Sequence, residues 1–258
     1  MMLTDDEWRA LIADGKTRVP TPIAPRSYVS TEPSDSKPVK LTCEDGHDYF
    51  VKGVQLAQDM PRKRVLINDQ IVARLGLDMG APVGVPALVE VLQALIDNES
   101  GMAHMHAGVA HGCRAILQVT NRRTWENIQI RENRSRFALI AVLYGWLNVS
   151  DVQVLYDENP PHLVYTVDHG HFIAGPGWDV AGFAGGIPSI MMEDICNQCV
   201  FTDAEKHAAL SSLAYVTDER IADAIAIPPD TWLFPEDQRI ALAKHLASRR
   251  DALSATRP

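Results

Sequence analysis

The longest apolar run in the chain is residues 137–147, Phe-Ala-Leu-Ile-Ala-Val-Leu-Tyr-Gly-Trp-Leu. It is too long for an ordinary strand and too short to cross a bilayer, so it predicts a buried helix. A polar turn follows at residues 148–153. The β-prone run 163–167 comes next and leads directly into Asp168-His169-Gly170-His171. A core helix thus delivers Asp151 and a buried strand delivers Asp168. Two carboxylates released at the ends of rigid elements suit divalent-metal and proton chemistry. The plainer alternative is that Asp151 caps the turn and Asp168 opens a loop, both common places for Asp.

The rest of the pattern divides into strands first and helices last. Thr4-Asp5-Asp6-Glu7 is a capping box, predicting a helix to about residue 13, stopped by Gly15, as a peripheral lead-in. A short strand at 27–30 is expected to interrupt a Pro- and Ser-rich stretch, and 30–38 is a polar loop. Residues 39–43 and 48–52 flank Asp45-Gly46, a strong hairpin signal. Lys52 ends the second strand, a place where lysine is usually a solvated edge residue. Leu66, Ile67, Ile71 and Leu75 have helical spacing, with Gly76 as the stop. Asp69 in that helix either reaches Lys52 or is one more surface acid. A connector at 80–86 leads to a strand at 87–92. Residues 98–113 read as irregular and 115–119 as a strand; 125–133 is polar and helix-compatible. Five glycines and two prolines make 173–188 a loop. Helices are expected at 190–199, 203–212 (capped by Thr202), Asp218–Ala226 (capped by Thr217) and 236–253. The order predicts an α+β fold of two lobes, with the carboxylates near the junction.

Composition narrows the function. The 258 residues carry a formal net charge of −9, which disfavours a general affinity for nucleic-acid phosphates. No apolar signal segment or transmembrane run is evident, and the four cysteines are too few for a disulfide scaffold. A reducing, cytoplasmic setting is the expectation. Cys196-Asn197-Gln198-Cys199 is a single CxxC without the strand-then-helix context of a thioredoxin motif. His104, His106, His111 and Cys113 form the most tempting metal cluster, although their spacing matches no familiar zinc pattern. With His169 and His171, the three histidines make a metal-dependent hydrolase the third reading.

Taken in order, several segments resemble the HipA-like kinases, a branch of the protein-kinase-like and phosphatidylinositol-kinase-like fold. They are EDGHDYFVKG (44–53), RVLINDQIVARLGLDMGAPV (64–83), RFALIAVLYGWLNVSDVQ (136–153), VYTVDHGHF (164–172), IPPDTW (227–232) and LASRRDAL (246–253). The resemblance spans roughly residues 20–253. It implies an antiparallel-sheet N-lobe with one helix over residues 1–120, and a mainly helical C-lobe over 121–258. It implies ATP and Mg²⁺ as cofactors and transfer of the γ-phosphate to a hydroxyl, most naturally on a protein Ser or Thr. Lys52 would hold the α- and β-phosphates and Asp69 would orient Lys52. Asp151 would be the general base; Asp168 and Gln153 would hold the metal. The loop 30–38 would cover the phosphates, with Ser30, Ser34 and Ser36 as candidates for autophosphorylation. The chain lacks G-x-G-x-x-G and H-R-D-x-x-x-x-N, and has Tyr156 five residues after Asp151. A non-catalytic member acting as a binding module is therefore the second reading.

Overall fold

The computed structural model describes residues 2–121, 127–183, 195 and 199–256. Its first sheet has five antiparallel strands, β1 (Pro25–Thr31), β2 (Val39–Cys43), β3 (Asp48–Lys52), β4 (Pro86–Val91) and β5 (Gly108–Arg114), in the order β1-β2-β3-β5-β4. A second sheet, β6-β7-β8, is formed by Val119–Thr120, Val154–Asp157 and Val164–Thr166. The helices are α1 (Asp5–Lys16), α2 (Val65–Asp78), α3 (Gln93–Asn98), α4 (Arg131–Leu147), α5 (Asp203–Ser211), α6 (Asp218–Ala226) and α7 (Glu236–Ala255). The chain is thus a mixed α and β fold, with antiparallel sheets and a helical C-terminal part. Among the described residues no helix is long and apolar enough to cross a membrane.

Helix α2 lies between β3 and β4 in sequence and is buried on nearly all sides. An amphipathic surface helix would have a polar face; α2 instead needs a partner for each buried polar group. Asn68 donates to the carbonyls of Gly170, Phe172 and Gly175 at 2.8, 3.0 and 3.1 Å, and accepts from Trp178 Nε1 at 2.8 Å. Gln70 donates to Ala87 O at 2.5 Å and meets His111 Nδ1 at 3.0 Å. Asp69 goes to Lys52. The helix is thereby fastened to the first sheet and to the segment after β8 at once.

The apolar run at 137–147 forms the C-terminal part of α4, with Phe137, Ile140, Ala141, Trp146 and Leu147 fully buried. Asn148 ends it in a left-handed conformation at φ 50°, which Asn tolerates better than most residues. Its Nδ2 donates to Ile173 O at 2.9 Å, and Ile173 N donates to Leu147 O at 2.6 Å. The turn that carries Asp151 is therefore stitched to the segment that follows Asp168.

Several expectations need correction. The lead-in helix is not peripheral: Trp8 and Ile12 are 1% and 3% exposed, and α1 packs on α6 and α7. Residues 108–114, read as part of an irregular stretch, form β5, flanked by β3 and β4. Gly112 there is a close-approach residue, because a Cβ would lie 2.7 Å from Val89 Cγ2. The strand expected at 115–119 shrinks to Val119–Thr120, and β7 and α3 were not foreseen. All but residues 195 and 199 of the helix expected at 190–199, Cys196 of the CxxC included, lie outside the described residues.

Candidate active site

Lys52 is the last residue of β3, where the strand pairs with β5 through Lys52 and His111. It is not a solvated edge lysine: it is 6% exposed. Its Nζ donates to Asp69 Oδ2 at 2.8 Å and to Asp168 Oδ1 at 2.5 Å. Asp69 comes from the first half of α2 and is 2% exposed. Of its two readings, the reach to Lys52 is the one realised. Burial alone would push the Lys52 ammonium down; the charges of Asp69 and Asp168 outweigh it and hold the amine above the ordinary lysine range. For Asp168, burial pushes the carboxyl up and Lys52 pulls it further down, leaving it below the usual carboxylate range. Asp168 is thus an anion at neutral pH, and its side chain remains 33% exposed toward solvent.

Asp168 stands two residues beyond β8 at φ 58°. Asp is among the few residues that accept this conformation without much strain. Before it, Thr166 N donates to Pro82 O at 2.8 Å and Gly84 N donates to Thr166 O at 3.1 Å, which fixes β8 against the connector between α2 and β4. His169, 2% exposed, points inward to Thr166 Oγ1 at 3.2 Å and packs edge-on against Phe172.

A cleft of about 290 Å³ opens on the outer side of Lys52 and Asp168. Asp151 and Gln153 line it, from the turn after α4, as do Ser34 and Ser36 from the polar loop. Gln153 Nε2 donates to Asp151 Oδ2 at 3.4 Å, and Ser150 Oγ donates to the carbonyl of His171. The structure therefore gathers Lys52, Asp151, Gln153, Asp168, Ser34 and Ser36 around one space, and sets Asp69 behind Lys52 as its buried counter-ion. Arg62, Leu56, Val65 and His171 also line the cleft. Of these, sequence reasoning had not assigned Arg62 to the site. Its signal was the basic turn Arg62-Lys63-Arg64, placed between the strand lysine and the acidic helix. Asn68 was missed as the residue that anchors the segment after Asp168.

The donor set suits a hard cation. Asp168 supplies a carboxylate oxygen, and the Gln153 amide oxygen has no hydrogen-bond donor among the described residues, its nitrogen facing Asp151. Mg²⁺ is characteristically held by one or two carboxylates and completed by substrate phosphates and water. Among the described residues no three His, Cys, Asp or Glu side chains gather to hold a metal by themselves. The histidine cluster behind the hydrolase reading is not assembled. His104 Nε2 meets Lys37 O at 2.8 Å, His111 is buried against Gln70, and His169 turns inward to Thr166.

No family model matches the chain, and no curated protein matches it. Among solved structures, the chain is similar to a crystal structure of the Golgi casein kinase, at 13% identity and a TM-score of 0.46, over 98% of this chain and 76% of that one.

Proposed function

We propose that the protein is an ATP- and Mg²⁺-dependent kinase with a two-lobed arrangement of the HipA-like kind, divided near residue 120. One observation carries this reading. A buried lysine at the end of a central strand bridges an acid on α2 and an acid beyond β8, on the wall of a cleft shared with Asp151 and Gln153.

Phosphoryl transfer needs positioning and charge neutralisation more than covalent help. Lys52 offers a fixed ammonium to the α- and β-phosphates, with Asp69 holding it in place. Asp69 is shorter than the glutamate usual in such pairs, yet from the buried first half of α2 its Oδ2 lies 2.8 Å from the Lys52 amine. Asp168 and Gln153 would hold Mg²⁺, which supplies neutralisation of the phosphate oxygens. Asp151 stands in the same cleft with its carboxylate at the solvent side, where it accepts the proton of an incoming hydroxyl. That acceptor is a Ser or Thr side chain of a protein.

The test is transfer from γ-labelled ATP to the protein itself and to a generic protein acceptor, with Mg²⁺ present. Wild type should label, while Asp151→Ala and Asp168→Ala should lose labelling by about a hundredfold or more with unchanged circular dichroism. Equal labelling by both variants would remove the mechanism. A binding module without transfer is the second reading, favoured by the engagement of Asp168 by Lys52 at 2.5 Å. In that case no label is transferred and Mg-ATP leaves the melting temperature unchanged, whereas a true nucleotide site raises it.

A further inference from the structure

We infer that Arg62 is a second phosphate-binding cation, which recognises the terminal phosphates of the nucleotide and gives the cleft its preference for a triphosphate. The inference rests on the kinase reading of the same cleft.

The charges around the cleft pose the problem. Its lining holds two cations, Lys52 and Arg62, and three acids, Asp35, Asp151 and Asp168. Lys52 is already shared between Asp69 and Asp168, so the charge it offers to the α- and β-phosphates is partly neutralised, and little is left for a third phosphate. The sequence also lacks the G-x-G-x-x-G pattern whose amides cradle phosphates in protein kinases. A polyanion entering this space needs a further fixed donor. Arg62 is the lining residue with the chemistry to act as one, because a guanidinium forms paired, charge-assisted bonds to phosphate oxygens.

The side chain is aimed and supported, not loose. Arg62 Nε donates to Asp59 Oδ2 at 2.8 Å, Nη2 lies 2.7 Å from the same oxygen, and Nη1 donates to Asp35 O at 3.2 Å. Three of its five N–H groups are so used, leaving two without a protein acceptor among the described residues. Its side chain is 37% exposed, open to an incoming ligand. The turn beneath it is braced: Arg64 N donates to Pro176 O at 2.7 Å. Gly177 lies so close that a Cβ would come within 2.8 Å of Pro61 O. The bond to Asp35 O also ties Arg62 to the loop carrying Ser34 and Ser36, so one guanidinium touches both the loop and the space beneath it.

The experiment is calorimetric titration of wild type, Arg62→Gln, Arg62→Lys and Asp59→Ala with ATP, ADP and AMP in Mg²⁺. Arg62→Gln should weaken ATP about tenfold or more and AMP by less than twofold, so that the preference for ATP over AMP collapses. Arg62→Lys should recover part of it. Asp59→Ala should keep the ATP preference, since the guanidinium survives. Two results overturn the inference: Arg62→Gln binding ATP within twofold of wild type, or losing ATP and AMP equally, as Asp59→Ala would if Arg62 only pinned the turn. Wild type that binds none of the three nucleotides overturns the kinase reading itself, and this inference with it.

Discussion

Replacing Lys52 by Met tests the architecture of the site independently of any ligand. Methionine keeps much of the lysine stem's volume, so the change removes a charge more than it opens a cavity. What remains is Asp69, 2% exposed, with its cation gone and Asp168 nearby as a like charge. Breaking a buried ion pair by deleting one partner costs about 3–5 kcal/mol. That is a large part of the 5–15 kcal/mol by which domains are usually stable, and in a chain of this size it corresponds to roughly 6–20 °C in Tm. The assay is urea denaturation of wild type, Lys52→Met, Asp69→Asn and the double variant. The double variant should recover much of the loss, because no buried charge is left unpaired. The pH dependence has a definite sign. Burial and Asp168 push the Asp69 carboxyl up, against the pull of Lys52; without Lys52 the rise is larger. A carboxyl raised in the folded state costs stability as pH rises from its unfolded value through its folded value, so the Lys52→Met deficit should be greater at pH 8 than at pH 5. A Lys52→Met variant within about 0.5 kcal/mol of wild type, the range expected of a surface change, would refute the buried-pair account.

Two further outcomes follow from the same burial. Burial pushes His111 down to about 3 and His169 down to about 4. The unfolded chain therefore takes up protons first, and stability should be lost as pH falls from about 6.5 toward 4; replacing His111 with Gln should flatten that slope in denaturation measured across this window. Arg239, fully buried, donates to the carbonyls of Phe234, Ile225 and Pro228 at 2.9, 2.6 and 2.7 Å. Arg239→Met orphans all three, and a loss of about 3 kcal/mol or more in denaturant unfolding is expected, with transfer activity at permissive temperature retained.

Much of the scaffold around the cleft was legible in the sequence because it is built from strongly patterned elements. The run at 137–147 admits only a buried helix, the Asp45-Gly46 turn fixes the β2–β3 hairpin, and Thr202 and Thr217 cap α5 and α6 where the spacing predicts. Lys52, Asp151 and Asp168 stand at the ends of such elements. What was not legible depends on contacts across the chain. β5 hides behind Gly108 and Gly112, which look like loop residues until the neighbouring Val89 is seen to need the missing Cβ. The histidines of the same stretch mimic a ligand cluster, but His111 lies on β5 while His104 and His106 precede it, and separate partners hold His104 and His111. α1 reads as peripheral because its burial comes from α6 and α7, two hundred residues downstream. Asn68 lacks any local pattern of its own, and the basic turn 62–64 does not say which of its cations faces a cleft; only the folded chain puts Arg62 beside the cleft and Asn68 under the segment that follows Asp168.

The claim at the centre of this account is that Lys52, Asp151 and Asp168 surround a nucleotide site. Calorimetric titration with a non-hydrolysable ATP analogue, with and without Mg²⁺, tests it most directly. The account predicts one-to-one binding by wild type that depends on Mg²⁺ and is lost in Asp168→Ala. No binding by wild type, or Mg²⁺-independent binding that Asp168→Ala leaves unchanged, would contradict it.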